Sequence, residues 1–536
     1  MPRLEARAGG ATLSLFCPED RSLRTILDAT PHRVRSACSG IGACGLCRIR
    51  VLGGSVSSLT EIERLQRQAG QLAADERLAC QSFARGDLRI ELCAPAPRSG
   101  WCRLDDDLLG ALDREDLGPV RAQPAGAAAP LGVAIDLGTT HLCFSLTDLA
   151  SGAVITSRWG GNPQAAYGAD LMTRLHAAVQ SPEAGREMRE LVVGAVADGL
   201  EDMVSREGLD PRRVTGLTVV GNTAMLALLV GRGCERLIRP AEWEAPLACE
   251  TGDREAWRRR WNLPARTAIE IVQPLAGFVG SDLLCGLAAC RFSEQPAPAL
   301  YIDFGTNTEV ALWDGARLWV TSAAGGPAFE GGWRGVVLPA APGAIHDVRR
   351  DGERWTFAVI GDRPAEGLCG SGLVALIAHL RAEGVVSARG TFATGCDDGF
   401  SFTADGRPFR IGTAEIDALQ RAKAAIGVAV AALCAHAEVP LGGLAHLVVA
   451  GAFGRHLDIA SAQAIGLLPE IAGERVRMVG NGALAGCIAF GLFDRARRTV
   501  EELRRHARLF NLSRLAGFDA LFLEHLHLQP MNEAGS

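Results

Sequence analysis

The chain has 536 residues, 22% charged and 48% hydrophobic, with a mean hydropathy of +0.12, a globular rather than disordered composition. Its 55 basic and 61 acidic side chains leave a net charge of −6, so nothing global points to nucleic acid or an anionic membrane as partner. The length exceeds one compact unit, and sixteen cysteines spread through so long a chain exclude the disulfide framework of a small secreted domain.

Residues 1–20 lack a basic segment followed by an apolar stretch, so no signal peptide is read there and a cytoplasmic location is expected. In that compartment metal ligation is a better use of clustered thiols than disulfides. Strand patterns at 12–16, 48–51 and 88–92, with a helix at 23–28, outline a first unit over residues 1–94. Its glycine-rich loop reads Cys38-x5-Cys44-x2-Cys47, and Cys80 follows 33 positions after Cys47. Two sulfide-bridged irons need four thiolates, and Gly40, Gly42 and Gly45 let backbone N–H groups approach the sulfurs. The competing reading is a four-cysteine zinc site. Zinc sites usually pair two short C-x2-C knuckles, whereas here the fourth ligand stands alone, which favours 2Fe–2S. The other twelve cysteines show no metal spacing.

A Pro/Ala-rich linker with one short helical pattern occupies 95–130. From Leu131 onward, strand runs at 132–135, 217–220, 300–302 and 446–449 alternate with helical patterns at 371–381, 414–436 and 483–493, an α/β signature. The longest uncharged run, 214–231, reads as a buried strand turning into a helix, not as a membrane span. Asp136-Leu137-Gly138-Thr139-Thr140 recurs 167 residues later as Asp303-Phe304-Gly305-Thr306-Asn307, each copy between two short strands. The repeat predicts a duplicated domain with two similar lobes. In each turn glycine lets the backbone approach a phosphate, Thr hydroxyls and N–H groups donate to its oxygens, and Asp faces Mg²⁺ or its bound water. An isolated D-x-G-T reads equally well as an ordinary β-turn. The matched pair favours a phosphate clamp.

Three more glycine-rich turns follow strands or open helices: Gly221-Asn222-Thr223, Gly370-Ser371-Gly372 and Gly451-Ala452-Phe453-Gly454. The first two are candidate anion sites at helix starts, and the third would let backbone approach a flat nucleoside. Close packing between strand and helix calls for glycine as well, so each is weak alone.

Together these elements resemble the actin, sugar-kinase and heat-shock chaperone ATPase superfamily, whose phosphate-1, phosphate-2 and adenosine motifs match 136–140, 303–307 and 451–454 in order. With the 2Fe–2S unit in front, the chain resembles the reductive activators of corrinoid proteins. Matching stretches include 162–164 with 167–170, 221–225, 274–280, 324–331, 369–372 and 422–426. The resemblance implies an α+β β-grasp ferredoxin domain (1–94), the linker (95–130), and a duplicated α/β actin-like ATPase with lobes at 131–298 and 299–536. It implies a 2Fe–2S cluster on Cys38, Cys44, Cys47 and Cys80, with ATP and Mg²⁺ as further cofactors. Asp136, Gly138, Thr139, Thr140, Asp303, Gly305, Thr306 and Asn307 would hold Mg²⁺ and phosphates; Gly451, Ala452 and Gly454 would border the nucleoside.

Lys423, the single lysine, lies on the helical pattern that in chaperone-like ATPases borders adenine, and reads equally as a solvated surface lysine. Glu330 would position water or the partner, or merely cap a turn. The implied reaction is ATP-driven one-electron reduction of inactive Co(II) to Co(I) in a corrinoid protein, fed by an external low-potential donor; a homodimer stays open. The alternatives are a nucleotide-gated electron-transfer adaptor for another low-potential acceptor and a small-molecule kinase with a fused redox sensor. The kinase is disfavoured because no substrate-base motif is evident. Two departures stand out. Only about 40 residues separate the ferredoxin unit from Asp136, and Thr308 stands where the family commonly has glycine.

Overall fold

The computed structural model describes residues 2–531 apart from 9–10, 29, 31, 33, 35–41, 43–44, 46, 94–99, 105–116, 122–128, 169, 326–335, 339, 341, 353, 362, 395–398 and 452. The N-terminal unit is a five-stranded sheet built from β1 (Arg3–Ala8), β2 (Ala11–Phe16), β3 (Arg48–Val56), β4 (Glu76–Leu78) and β5 (Ala84–Leu92). Helices α1 (Leu23–Asp28) and α2 (Glu61–Gln68) complete it. The strand order β2-β1-β5-β3-β4, with β1 parallel to β5 and its other pairs antiparallel, is a β-grasp. Alternation drives it: Leu4 and Ala6 of β1 and Leu88, Ile90 and Leu92 of β5 point into one core with Leu23, Leu27 and Ile49. Sequence patterning did not mark β1, α2 or β4. Helix α2 starts at a capping box between Thr60 and Glu63.

Lobe 1 contains β6 (Cys102–Arg103), β7 (Leu131–Leu137), β8 (His141–Asp148), β9 (Val154–Gly161), β10 (Val214–Gly221) and β11 (Ala268–Ile271). Its helices are α3 (Leu171–Gln180), α4 (Pro182–Arg206), α5 (Thr223–Val230), α6 (Cys234–Leu237), α7 (Arg254–Arg260) and α8 (Ser281–Ala289). The run 214–231 is indeed a buried strand leading into a buried helix. Within the linker, the short β6 pairs with β9 at the sheet edge, and Trp101 packs edge-on against Phe144. The helical pattern of the linker falls mainly on 105–116, outside the described residues.

Lobe 2 begins with β12 (Ala299–Asp303), β13 (Thr308–Trp313) and β14 (Leu318–Ala323). A three-stranded sheet of β15 (Ala344–Asp351), β16 (Arg354–Val359) and β17 (Gly367–Leu368) and the hairpin β18 (Phe400–Ala404)–β19 (Arg407–Ile411) follow. The lobe closes with β20 (His446–Ala450), β21 (Val476–Met478) and β22 (Arg508–Leu509). Its helices are α9 (Gly370–Ala382), α10 (Thr413–His436), α11 (Ile459–Ala464), α12 (Gly482–Leu492), α13 (Asp494–His506) and α14 (Phe518–His525).

The two large sheets repeat one plan: β11-β10-β7-β8-β9-β6 in lobe 1 and β21-β20-β12-β13-β14-β22 in lobe 2. In both, an antiparallel three-strand meander is flanked by two parallel strands, so the Asp-bearing strands β7 and β12 occupy equivalent positions. The duplication inferred from the repeat is therefore the architecture. Helices α8 and α12, which follow the equivalent strands β11 and β21, cross at Gly486, where a Cβ would lie 2.0 Å from the Cys285 carbonyl oxygen. Helix α10 is long and apolar enough to cross a membrane, yet 83% of its apolar window is buried inside the protein. It is a core helix of lobe 2.

Candidate functional site

Both D-x-G-T turns open into one cleft between the lobes. Asp136 ends β7 and Asp303 ends β12, and the hairpin registers place Asp136 opposite Cys143 and Asp303 opposite Glu309. The turns meet directly: Thr140 Oγ1 and Thr306 Oγ1 lie 2.7 Å apart, 166 positions apart in sequence. Asp136, Gly138, Thr139, Thr140, Asp303, Gly305, Thr306, Asn307, Asn222 and Gly451 all line this cleft. Sequence spacing could not join them. The fold does.

Side chains outside the two D-x-G-T turns hold the phosphate-1 turn in shape. Asn162 Nδ2 donates to the Gly138 carbonyl at 2.9 Å, and buried Arg174 donates through Nη1 to the Thr139 carbonyl at 2.8 Å. Asn222 caps α5 by accepting from the Met225 N–H, and its Nδ2 donates to Thr139 Oγ1 at 3.1 Å. Gly451 has φ +91° and a backbone so close to Phe304 that a Cβ would sit 2.2 Å from its carbonyl oxygen. Thr308, the departure from the family pattern, starts β13 in register with Ala323, so the second turn closes without a glycine there.

Three further cleft groups escaped motif reading. Asn481 caps α12 and donates through Nδ2 to Asp136 Oδ2 at 3.0 Å. Asp282 opens α8, and Glu309 stands on β13 with 7% of its surface exposed. Burial and the nearby Asp136 push the Asp282 carboxyl up to about 8. Burial, Asp282 and Asp303 hold Glu309 well above the usual carboxylate range. The available signals were an isolated acid at the start of the apolar segment 281–289 and the Gly480-Asn481-Gly482 turn before another.

These carboxylates repel one another, which is the electrostatic setting a divalent cation relieves. Among the described residues no three His, Cys, Asp or Glu side chains form a complete metal site. That donor chemistry fits Mg²⁺, which keeps several waters and takes one or two carboxylates plus substrate phosphates.

Other expected contacts lie elsewhere. Gly221 is packed against β7, with a Cβ position 2.7 Å from the Leu137 carbonyl oxygen, and Thr223 is fully buried in α5. Gly370, Ser371 and Gly372 open α9 but do not line the cleft; Gly372 is pressed against the Ile345 carbonyl, so packing accounts for it. Gly454 packs on Val449 behind Gly451. Glu330, Ala452, Cys38 and Cys44 lie outside the described residues.

Lys423 corrects its expectation. It is 1% exposed, neither solvated nor among the cleft residues, and its Nζ donates to the carbonyls of His525 and, at 2.8 Å, His527. The lone lysine pins the C-terminal segment onto α10. Burial pushes its ammonium down to about 7 from an ordinary 10.5. The unfolded chain then binds more protons between those values, so this group makes stability rise with pH across that window. Lys423→Met is expected to flatten the rise in thermal unfolding temperature between about pH 7 and about pH 9.5 while Mg-ATP hydrolysis stays at the wild-type rate.

In the ferredoxin unit, the described thiols Cys47 and Cys80 are buried with their Sγ atoms 3.4 Å apart. The neighbouring Cys80 thiol and burial both push the Cys47 thiol up, so the pair resists ionising together without a cation. Two thiolates on one tetrahedral metal at about 2.3 Å would lie about 3.8 Å apart, so the pair fits a shared iron with a small adjustment. The turn carrying Cys80 is held by buried Glu63, which takes a two-pronged ion pair from Arg77 at 2.9 Å and the Leu78 N–H at 3.0 Å. Burial alone would raise this carboxyl, but Arg77 and the backbone donors hold it below its usual value. Elsewhere, Cys234, Cys249, Cys290 and Cys434 are buried free thiols pushed up to about 12 by burial, and behave as small apolar side chains.

Residues 8–85 match the 2Fe-2S iron-sulfur cluster binding domain, 131–295 the RACo middle region, and 297–534 the C-terminal domain of RACo, the ASKHA domain. The chain belongs to the RACo family. The two RACo matches adjoin at residues 295 and 297 and together span both large sheets apart from β6. A corrinoid activation enzyme, RamQ, of Eubacterium limosum is 29% identical over 389 residues, 66% of this chain and 63% of that protein. The match thus spans less than two thirds of that relative's length. A Co(II) methylated amine-specific corrinoid protein reductase of Methanosarcina barkeri is 26% identical over 388 residues, 66% of this chain and 68% of that protein. A plant-type ferredoxin of Pseudomonas putida is 39% identical over 79 residues, 15% of this chain and 69% of that protein. The solved reductive activator for corrinoid, iron-sulfur protein shares the fold, with a TM-score of 0.66 over 99% of both chains at 23% identity.

Proposed function

We propose that this protein is an ATP-dependent reductive activator, returning inactive Co(II) to Co(I) in a corrinoid protein by one-electron transfer through its ferredoxin domain. The observation that carries the reading is the coexistence, in one chain, of the two-turn cleft closed by Thr140 and Thr306 and the buried Cys47–Cys80 pair. Cys38, Cys44, Cys47 and Cys80 are the proposed cluster ligands. When bound, the cluster supplies a one-electron carrier, and a plant-type cluster lies near roughly −400 mV.

Each ~59 mV of mismatch with the acceptor costs a factor of ten for a one-electron step, which gives nucleotide hydrolysis a task. Asp136 and Asp303 would hold Mg²⁺, which when bound neutralises phosphate charge. Thr139, Thr140, Thr306, Asn307 and the adjoining backbone bind and orient the phosphates. Asp282 is the cleft's candidate acid–base group, and Gly451 borders the nucleoside. The partner is a corrinoid protein, the electrons come from an external low-potential donor, and the site of action is the cytoplasm, in keeping with the buried free thiols.

The test is anaerobic. Protein, a strong reductant, Mg-ATP and a Co(II) corrinoid protein are mixed and the Co(I) absorbance band is followed. Co(I) should form only with ATP present. No ATP-dependent Co(I), with cluster and nucleotide both bound, refutes the reading and leaves the adaptor for another low-potential acceptor.

A further inference from the structure

The ferredoxin domain rests on lobe 1 through charges that are taken fully out of water. Arg24, on α1 of the ferredoxin domain, is 4% exposed, and its Nη2 lies 3.5 Å from Glu207 Oε1 just beyond the end of α4. Glu207 also accepts from Arg158 Nη2 at 3.3 Å, and Arg158 Nε donates to Asp202 at 2.9 Å. Arg158 and Glu207 are each 1% exposed. Arginine and glutamate are almost never so buried unless paired, and removing one partner leaves the other charge uncompensated. This network is therefore a specific joint and not a chance surface contact.

What lies at each end of the joint gives it a purpose. On the cluster side, α1 is tied to the turn carrying Cys80 by the Leu23 N–H donating to the Ser82 carbonyl at 2.8 Å. On the ATPase side, Arg158 sits on β9, the strand that also receives the linker strand β6 beside it. Four residues on, Asn162 donates from its backbone to the Thr140 carbonyl at 2.8 Å and from its side chain to Gly138. One strand thus runs from the phosphate-1 turn to the ion pair under the cluster domain.

We propose that the Arg24–Glu207 ion pair is the positioning joint that couples the nucleotide state of the phosphate-1 turn, through β9, to the docking and redox midpoint of the cluster domain. The inference rests on the reading of a nucleotide-binding cluster protein given above. A turn that shifts with bound nucleotide moves Asn162 and β9, and the joint passes that displacement to α1, whose Leu23 N–H is bonded to the Ser82 carbonyl just after Cys80.

The test uses the full chain. The cluster midpoint is measured by redox titration with and without Mg-ADP, hydrogen exchange of α1 is followed in the cluster-free chain under the same two conditions, and Mg-ATP hydrolysis is recorded alongside. In the wild type, nucleotide should shift the midpoint and change α1 exchange. In Glu207→Gln both responses should vanish, with basal hydrolysis unchanged. Should Glu207→Gln not fold, the paired variant R24Q/E207Q, which removes both charges, takes its place with the same expected result. Arg24→Lys, which keeps the cation, should restore part of the response. Glu207→Gln, or R24Q/E207Q in its place, responding like the wild type overturns the proposal. So does a wild type that binds nucleotide and cluster but shows no response. A wild type that binds neither refutes the functional reading itself, and direct binding measurements separate that case.

Discussion

Asp136→Ala is expected to lower Mg-ATP hydrolysis by roughly 10²–10³-fold, the range seen when one preorganised electrostatic group is removed from a phosphate or oxyanion site. Phosphoryl transfer asks the protein for positioning and charge stabilisation more than for covalent chemistry, so one misplaced group at the metal costs much of the rate. Asp136 ends β7, its equivalent Asp303 belongs to the other lobe, and Asn481 Nδ2 at 3.0 Å orients its carboxylate. The fold should survive, because the loss leaves one amide donor at a wet cleft. The visible cluster spectrum should therefore be that of the wild type. Steady-state phosphate release measures the first effect and absorbance the second. Wild-type hydrolysis in Asp136→Ala would remove it from the site.

Cys47→Ser is expected to abolish the visible 2Fe–2S spectrum while Mg-ATP hydrolysis continues near the wild-type rate. Cys47 is 1% exposed and 3.4 Å from Cys80, so its loss leaves a buried pair with one soft ligand replaced by a harder oxygen. The two lobes have their own cores, separate from the ferredoxin core that contains Cys47 and Cys80. Damage should stay on the cluster side, and corrinoid reduction should be lost with the spectrum. A Cys47→Ser variant that keeps the full spectrum refutes the ligand assignment. A colourless wild type that binds zinc returns the four cysteines to the competing reading.

The two predictions draw on different layers of legibility. The cysteine spacing and the repeated D-x-G-T turns were readable because metal and phosphate ligation impose short, local patterns on the chain. Helices α9, α10 and α12 were readable to within a residue or two because each carries a long apolar pattern. Asp282, Asn481 and Arg174 were not, since each is a single polar residue whose role comes from what lies across the fold. Lys423 shows the converse failure. Motif analogy sent it toward adenine, but its ammonium reaches carbonyls 102 and 104 positions away, on the C-terminal segment, which no local pattern announces.

The four spaced cysteines and the matched turns by themselves pointed to a ferredoxin-like unit joined to a duplicated α/β domain. Local spacing carries that information because three of the four cysteines share one loop and each D-x-G-T turn is a single hairpin. Only the tertiary structure decided that the two turns meet at Thr140 and Thr306, that three extra polar groups complete the cleft, and that Arg24 is buried against Glu207. Those facts depend on contacts between residues far apart in the chain, where burial turns an ordinary surface charge into a fixed partner.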